Sequence, residues 1–90
     1  MEKLDKKFVG PIRKVKDASL VPDDQWCAFL AKDNAFARVL PLYVQACIDL
    51  GCDAEQIVAV QAMQAHVEEW RAAHPEQLKN PDAKGERLLP

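Results

Sequence analysis

Between Ala35 and Leu50 the chain reads AFARVLPLYVQACIDL, with only Arg38, Gln45 and Asp49 polar. Those three lie seven and four residues apart, so on a helix they form one narrow stripe. The opposite seam runs Phe36, Leu40, Tyr43, Cys47, Leu50, and Val39, Leu42, Val44 and Ile48 widen it. A helix this apolar must be covered on nearly every side. A chain of 90 residues has little else to cover it with. The surplus apolar surface therefore has to meet the N-terminal segment, a second copy or another protein. Twofold pairing is the commonest assembly, so a homodimer is expected.

The ends of this segment are marked. Asn34 is placed to cap its start and Gly51 to close it as the left-handed residue after a helix. Pro41 predicts a kink or a boundary at Leu40-Pro41, because proline leaves the carbonyl of Ala37 without its amide partner. A further helix is expected from an Asp53 cap to about Ala73, ended by His74-Pro75. Its apolar seam is Val60, Met63, Val67 and Trp70, with Gln61, Gln64, Glu68 and Arg71 opposite. An earlier helix is predicted to open at VPDDQW. Pro22 suits a first turn, Asp23 and Asp24 suit the positive end of the helix dipole, and Trp26, Phe29 and Leu30 share a face. The expected fold is thus all-α: a small three-helix domain over residues 22–74 with a kinked middle helix. An extended basic arm over residues 1–21 precedes it, and an irregular polar tail over residues 75–90 follows it.

Charge divides the same way. Residues 1–16 carry six basic and two acidic side chains, whereas residues 17–74 carry three basic and nine acidic. A basic arm on an acidic body attracts its own kind of chain as readily as phosphate, and the body repels nucleic acid. The outer faces of the helices offer only Arg38 and Arg71, too few for a recognition helix. Phe8, Val9, Ile12 and Val15 interleave the basic residues, which suits packing better than a phosphate-binding tail.

The residues that carry chemistry give no constellation. Cys47 and Cys52 are separated by four residues and His66 and His74 by seven, which are not compact zinc spacings, so no metal or cofactor is expected. Three cysteines suit a reducing compartment better than a disulfide framework. Cys52 stands before a helix, where the dipole can lower a thiol pKa, but no histidine is spaced to pair with it. Ser19 is the sole hydroxyl of the serine or threonine type, and Asp23-Asp24 and Glu68-Glu69 diverge by about 100° on a helix. No enzyme is expected. The start, MEKLDKKF, lacks the apolar core of a secretory signal, and no apolar run reaches bilayer length. A cytoplasmic protein without membrane contact is therefore expected.

The function that remains is protein binding by a small accessory, regulatory or inhibitor-type protein of bacterial or phage type. Its expected anchors are Trp26, Phe29, Phe36, Tyr43 and Trp70, since aromatic side chains dominate interface hot spots. The alternative is nucleic-acid binding through Lys6, Lys7, Arg13, Lys14 and Lys16.

Overall fold

The computed structural model describes residues 2–82. In chain order it contains β1 (Ile12–Arg13), β2 (Leu20–Val21), α1 (Asn34–Asp49), α2 (Ala54–Ala73) and a short 3-10 turn at Pro75–Gln77. The expected three-helix, all-α fold is corrected to two helices and a small antiparallel hairpin. The chain divides into two compact units, one running to Ala28 and including Asp82, the other spanning Phe29–Pro81.

The helix predicted at VPDDQW does not form, and the hydrogen bonds show why. The amide of Gln25 closes a single turn on the carbonyl of Pro22. The carbonyl of Asp23, which a helix would bond to Cys27, accepts instead from the amide of Leu4 at 3.0 Å. The amide of Ala28, which a helix would bond to Asp24, donates to Asp5 Oδ2 at 2.8 Å. Long-range partners thus take the donors and acceptors that a helix needs, and local propensity loses.

Asp5 organises this N-terminal unit. Its Oδ1 accepts from the amides of Lys7 and Phe8, both at 2.8 Å. The Lys3 ammonium donates to the carbonyls of Asp5 and Phe8 and lies 4.4 Å from the centre of the Trp26 ring. The Trp26 indole N–H donates to Asp23 Oδ1 at 3.1 Å. Gly10 sits close over the indole: a Cβ there would meet Trp26 Cζ2 at 3.3 Å and the Ile12 amide nitrogen at 3.0 Å. The hairpin that follows pairs Ile12 with Val21 and Arg13 with Leu20. Ala18 turns it at a φ of 61°, and the Asp17 carboxylate accepts from the amide of Ser19.

In the second unit α1 is capped one residue earlier than expected, so that its first residue is Asn34. Asp33, extended at φ −76° and ψ 116°, accepts from the amides of Ala35 and Phe36. The helix then runs through Pro41 without a boundary, so of the kink or boundary expected there the boundary does not form. It closes on Gly51 at a φ of 71°. The Gly51 amide donates to the carbonyl of Ile48, and that of Cys52 to the carbonyl of Cys47, the paired bonds of a Schellman ending. A Cβ on Gly51 would touch nothing within 4 Å, so only backbone strain opposes it. Gly51→Ala is expected to lower stability by about 1 kcal/mol, read as a small drop in denaturation midpoint at constant slope.

The start of α2 is as read from sequence: the Asp53 carboxylate accepts from the amide of Gln56 at 2.8 Å. At its far end His74 Nδ1 lies 2.7 Å from the carbonyl of Trp70, and the two rings stack at 4.4 Å. Beyond the 3-10 turn the chain is tied to the start of α1 as far as Asn80. Lys79 bonds through its amide to Lys32 and through its carbonyl to the amide of Asn34, and Asn34 Nδ2 donates to Asn80 Oδ1. Arg71 ties the same corner, donating to the Ala31 carbonyl and to Asn34 Oδ1. The rest of the expected tail, residues 83–90, lies outside the described residues. Leu40, Val44 and Cys47 from α1 and Val60 from α2 are buried, and Cys52 and Ile57 pack against the last three.

Candidate docking face

The apolar seam of α1 divides in two. Leu40, Val44 and Cys47 turn inward, whereas Tyr43 and Leu50 from the same expected seam are exposed. They join Val39 and Ala46, also exposed, and the half-buried Phe36. The resulting row, Phe36, Val39, Tyr43, Ala46, Leu50, advances by three, four, three and four. At ~100° per residue it covers about 80° of the helix and, at ~1.5 Å rise, runs about 21 Å along it. This is the spacing with which one helix packs along another.

At the N-terminal end of the row lies a groove of about 420 Å³ lined by Phe29, Phe36, Val39, Leu40, Tyr43 and Met63. Phe29 is exposed and stacks face to face on Phe36, with ring centres 5.4 Å apart and an interplanar angle of 5°. The lining side chains are apolar except for the Tyr43 hydroxyl. Such a surface holds a hydrocarbon side chain by burial.

Of the five expected anchors, Phe29, Phe36 and Tyr43 come together here. Trp26 does not: at 7 % exposure, with its N–H bonded to Asp23, it belongs to the interior of the N-terminal unit. Trp70 is half-buried beneath its stack with His74. Val39 and Met63 were not among the expected anchors. The three-four advance from Phe36 through Val39 to Tyr43 was the signal for Val39. Met63 lies in the α2 seam from which only Trp70 was expected as an anchor.

The basic residues are engaged differently from one another. Lys6 pairs with Glu2 at 3.2 Å, Lys7 gives its amide to Asp5, and Arg13 Nη1 donates to the carbonyl of Ala18 across the hairpin. Lys14 and Lys16 are exposed in the hairpin turn. Among the described residues no three of His, Cys, Asp or Glu gather as metal ligands. Burial, then neighbouring Cys47 and Asp53, pushes the Cys52 thiol above its ordinary pKa, so it stays protonated at neutral pH. This is opposite to the effect the helix dipole suggested. No described helix is long and apolar enough to cross a membrane. No family model, curated protein or solved structure matches the chain.

Proposed function

We propose that this chain is a non-enzymatic protein-binding module whose working surface is the exposed face of α1 with the adjoining groove. One observation carries the reading: a continuous apolar row at helix-packing spacing ends in a groove built on the Phe29–Phe36 stack. Apolar side chains scattered over a surface need no explanation, but a contiguous face of this kind marks an interaction site. Helix-in-groove recognition uses anchors three and four residues apart, the spacing this row presents. An accessory, regulatory or inhibitory role fits a chain whose chemistry lies in its contacts.

Tyr43→Glu tests it. The side chain is more than half exposed, so the fold is expected to tolerate the change, with an unaltered helical circular dichroism spectrum. Association through the face is expected to weaken at least tenfold, since a charge must then be desolvated at its centre. Gln45→Glu, on the polar stripe of α1, is the matched control and is expected to change association little. Equal association by wild type and Tyr43→Glu would overturn the reading. The exposed Lys14 and Lys16 support a second reading, nucleic-acid binding through the hairpin. It expects salt-sensitive binding to a DNA or RNA oligonucleotide that is lost in Lys14→Gln/Lys16→Gln and kept in Tyr43→Glu.

A further inference from the structure

We infer that the occupant of the α1 face is a second copy of this chain, its α1 lying antiparallel to the first about a twofold axis at Tyr43. The inference rests on the reading above that this face is an interface, and it names the partner.

Self-complementarity is the first support. Reversing the row about Tyr43 sets Phe36 level with Leu50 of the mate, and Val39 beside Ala46. Tyr43 then meets its own equivalent. Each large side chain at an end faces another large one, and the small Ala46 leaves room for Val39. A twofold interface requires one patch that matches itself when turned around, and this row does.

Charge is the second. α1 carries only Arg38 towards its start and Asp49 towards its end. Antiparallel pairing brings opposite charges level and opposes the two helix dipoles. Parallel pairing would bring like charges level. Both lie on the outer stripe, so they bias direction without having to be buried.

Area is the third. Val39 is 52 % exposed, Tyr43 54 % and Leu50 81 %, and Phe29 and Met63 add to the same side. With ~150–250 Å² for a large side chain, the face presents on the order of 600 Å² per copy, or ~1,200–1,300 Å² for the pair. That reaches the ~1,200–2,000 Å² of stable interfaces.

Light scattering on the eluting 90-residue chain reads the assembly. The wild type is expected at twice the 10.1 kDa chain mass, and Tyr43→Glu at the chain mass with its helical spectrum intact. Orientation is read in a chain carrying Cys27→Ser and Cys52→Ser. Tyr43→Cys is expected to form an intermolecular disulfide under mild oxidation. Leu50→Cys alone is not, whereas Leu50→Cys mixed with Phe36→Cys is. A monomer at high micromolar concentration would overturn the inference, and so would a dimer that survives Tyr43→Glu or crosslinks Leu50→Cys to itself. A wild-type monomer whose binding to another protein is still lost in Tyr43→Glu would sink the inference and leave the protein-binding reading standing. A monomer whose contacts ignore Tyr43→Glu would remove both.

Discussion

Leu40→Ala is expected to unfold most of the Phe29–Pro81 unit at ordinary temperature. Leu40 is the least exposed apolar side chain described, at 2 %, on the inward seam of α1 one turn before Val44. Truncating such a leucine removes its transfer free energy and leaves a cavity, together about 2–5 kcal/mol. A core in a chain this small supplies only ~3–5 kcal/mol, so the substitution consumes most of the margin. At about 3 kcal/mol the folding equilibrium shifts more than a hundredfold. Far-ultraviolet circular dichroism during urea titration measures it, with the midpoint expected to move almost to zero denaturant. Leu42→Ala is the comparison. Leu42 is on the same helix but largely exposed, and its loss is expected to change stability by less than about 0.5 kcal/mol. If both substitutions shifted the midpoint equally, the division of α1 into an inward and an outward seam would be wrong.

That division separates what was legible in the sequence from what was not. α2 could be read almost to the residue, because Asp53, the apolar period and His74-Pro75 are local signals and nothing distant competes with them. The end of α1 at Gly51 was legible for the same reason. Which apolar residues of α1 face inward was not, since the rows Phe36-Leu40-Tyr43-Cys47-Leu50 and Phe36-Val39-Tyr43-Ala46-Leu50 share three members and both have helical spacing. Only the position of α2 chooses between them. Pro41 does not mark a boundary: a helix wrapped by solvent and one neighbour has room to lose one bond at Ala37 without ending. The absent helix after Pro22 is a stronger case. Its local signals are sound, yet Leu4 and Asp5, some twenty residues upstream, take its hydrogen-bonding groups. The hairpin has two paired residues per strand, too few for any alternation to register. Aromatic content alone put Trp26 on the same footing as Phe29. Nothing within the VPDDQW stretch tells that its indole is enclosed.

The second large effect is expected at Asp5. One carboxylate receives three backbone amides, from Lys7, Phe8 and Ala28, and so joins the first residues to the segment that carries Trp26. Burial raises its pKa. The amides of Ala28, Phe8 and Lys7 and the Lys3 charge together outweigh this, holding the pKa below the ordinary 3.8. A carboxylate whose folded pKa is depressed stabilises the fold above its unfolded value and loses that contribution as pH falls through the folded one. The N-terminal unit is therefore expected to keep its full stability down to about pH 4 and to loosen below it. Asp5→Ala removes the acceptor at every pH. Three amides then lack their partner, and a loss of about 2–4 kcal/mol is expected in this unit. Tryptophan emission in a Trp70→Phe background reports Trp26 alone, and it should shift to the red in Asp5→Ala at neutral pH. The parent should show the same shift only in acid. Amide exchange supplies the residue-level check, with protection falling at Lys7, Phe8 and Ala28 while the α2 amides stay protected. Unchanged protection at Ala28 in Asp5→Ala would show that the carboxylate does not hold the two segments together. The acid shift would then need another titrating group.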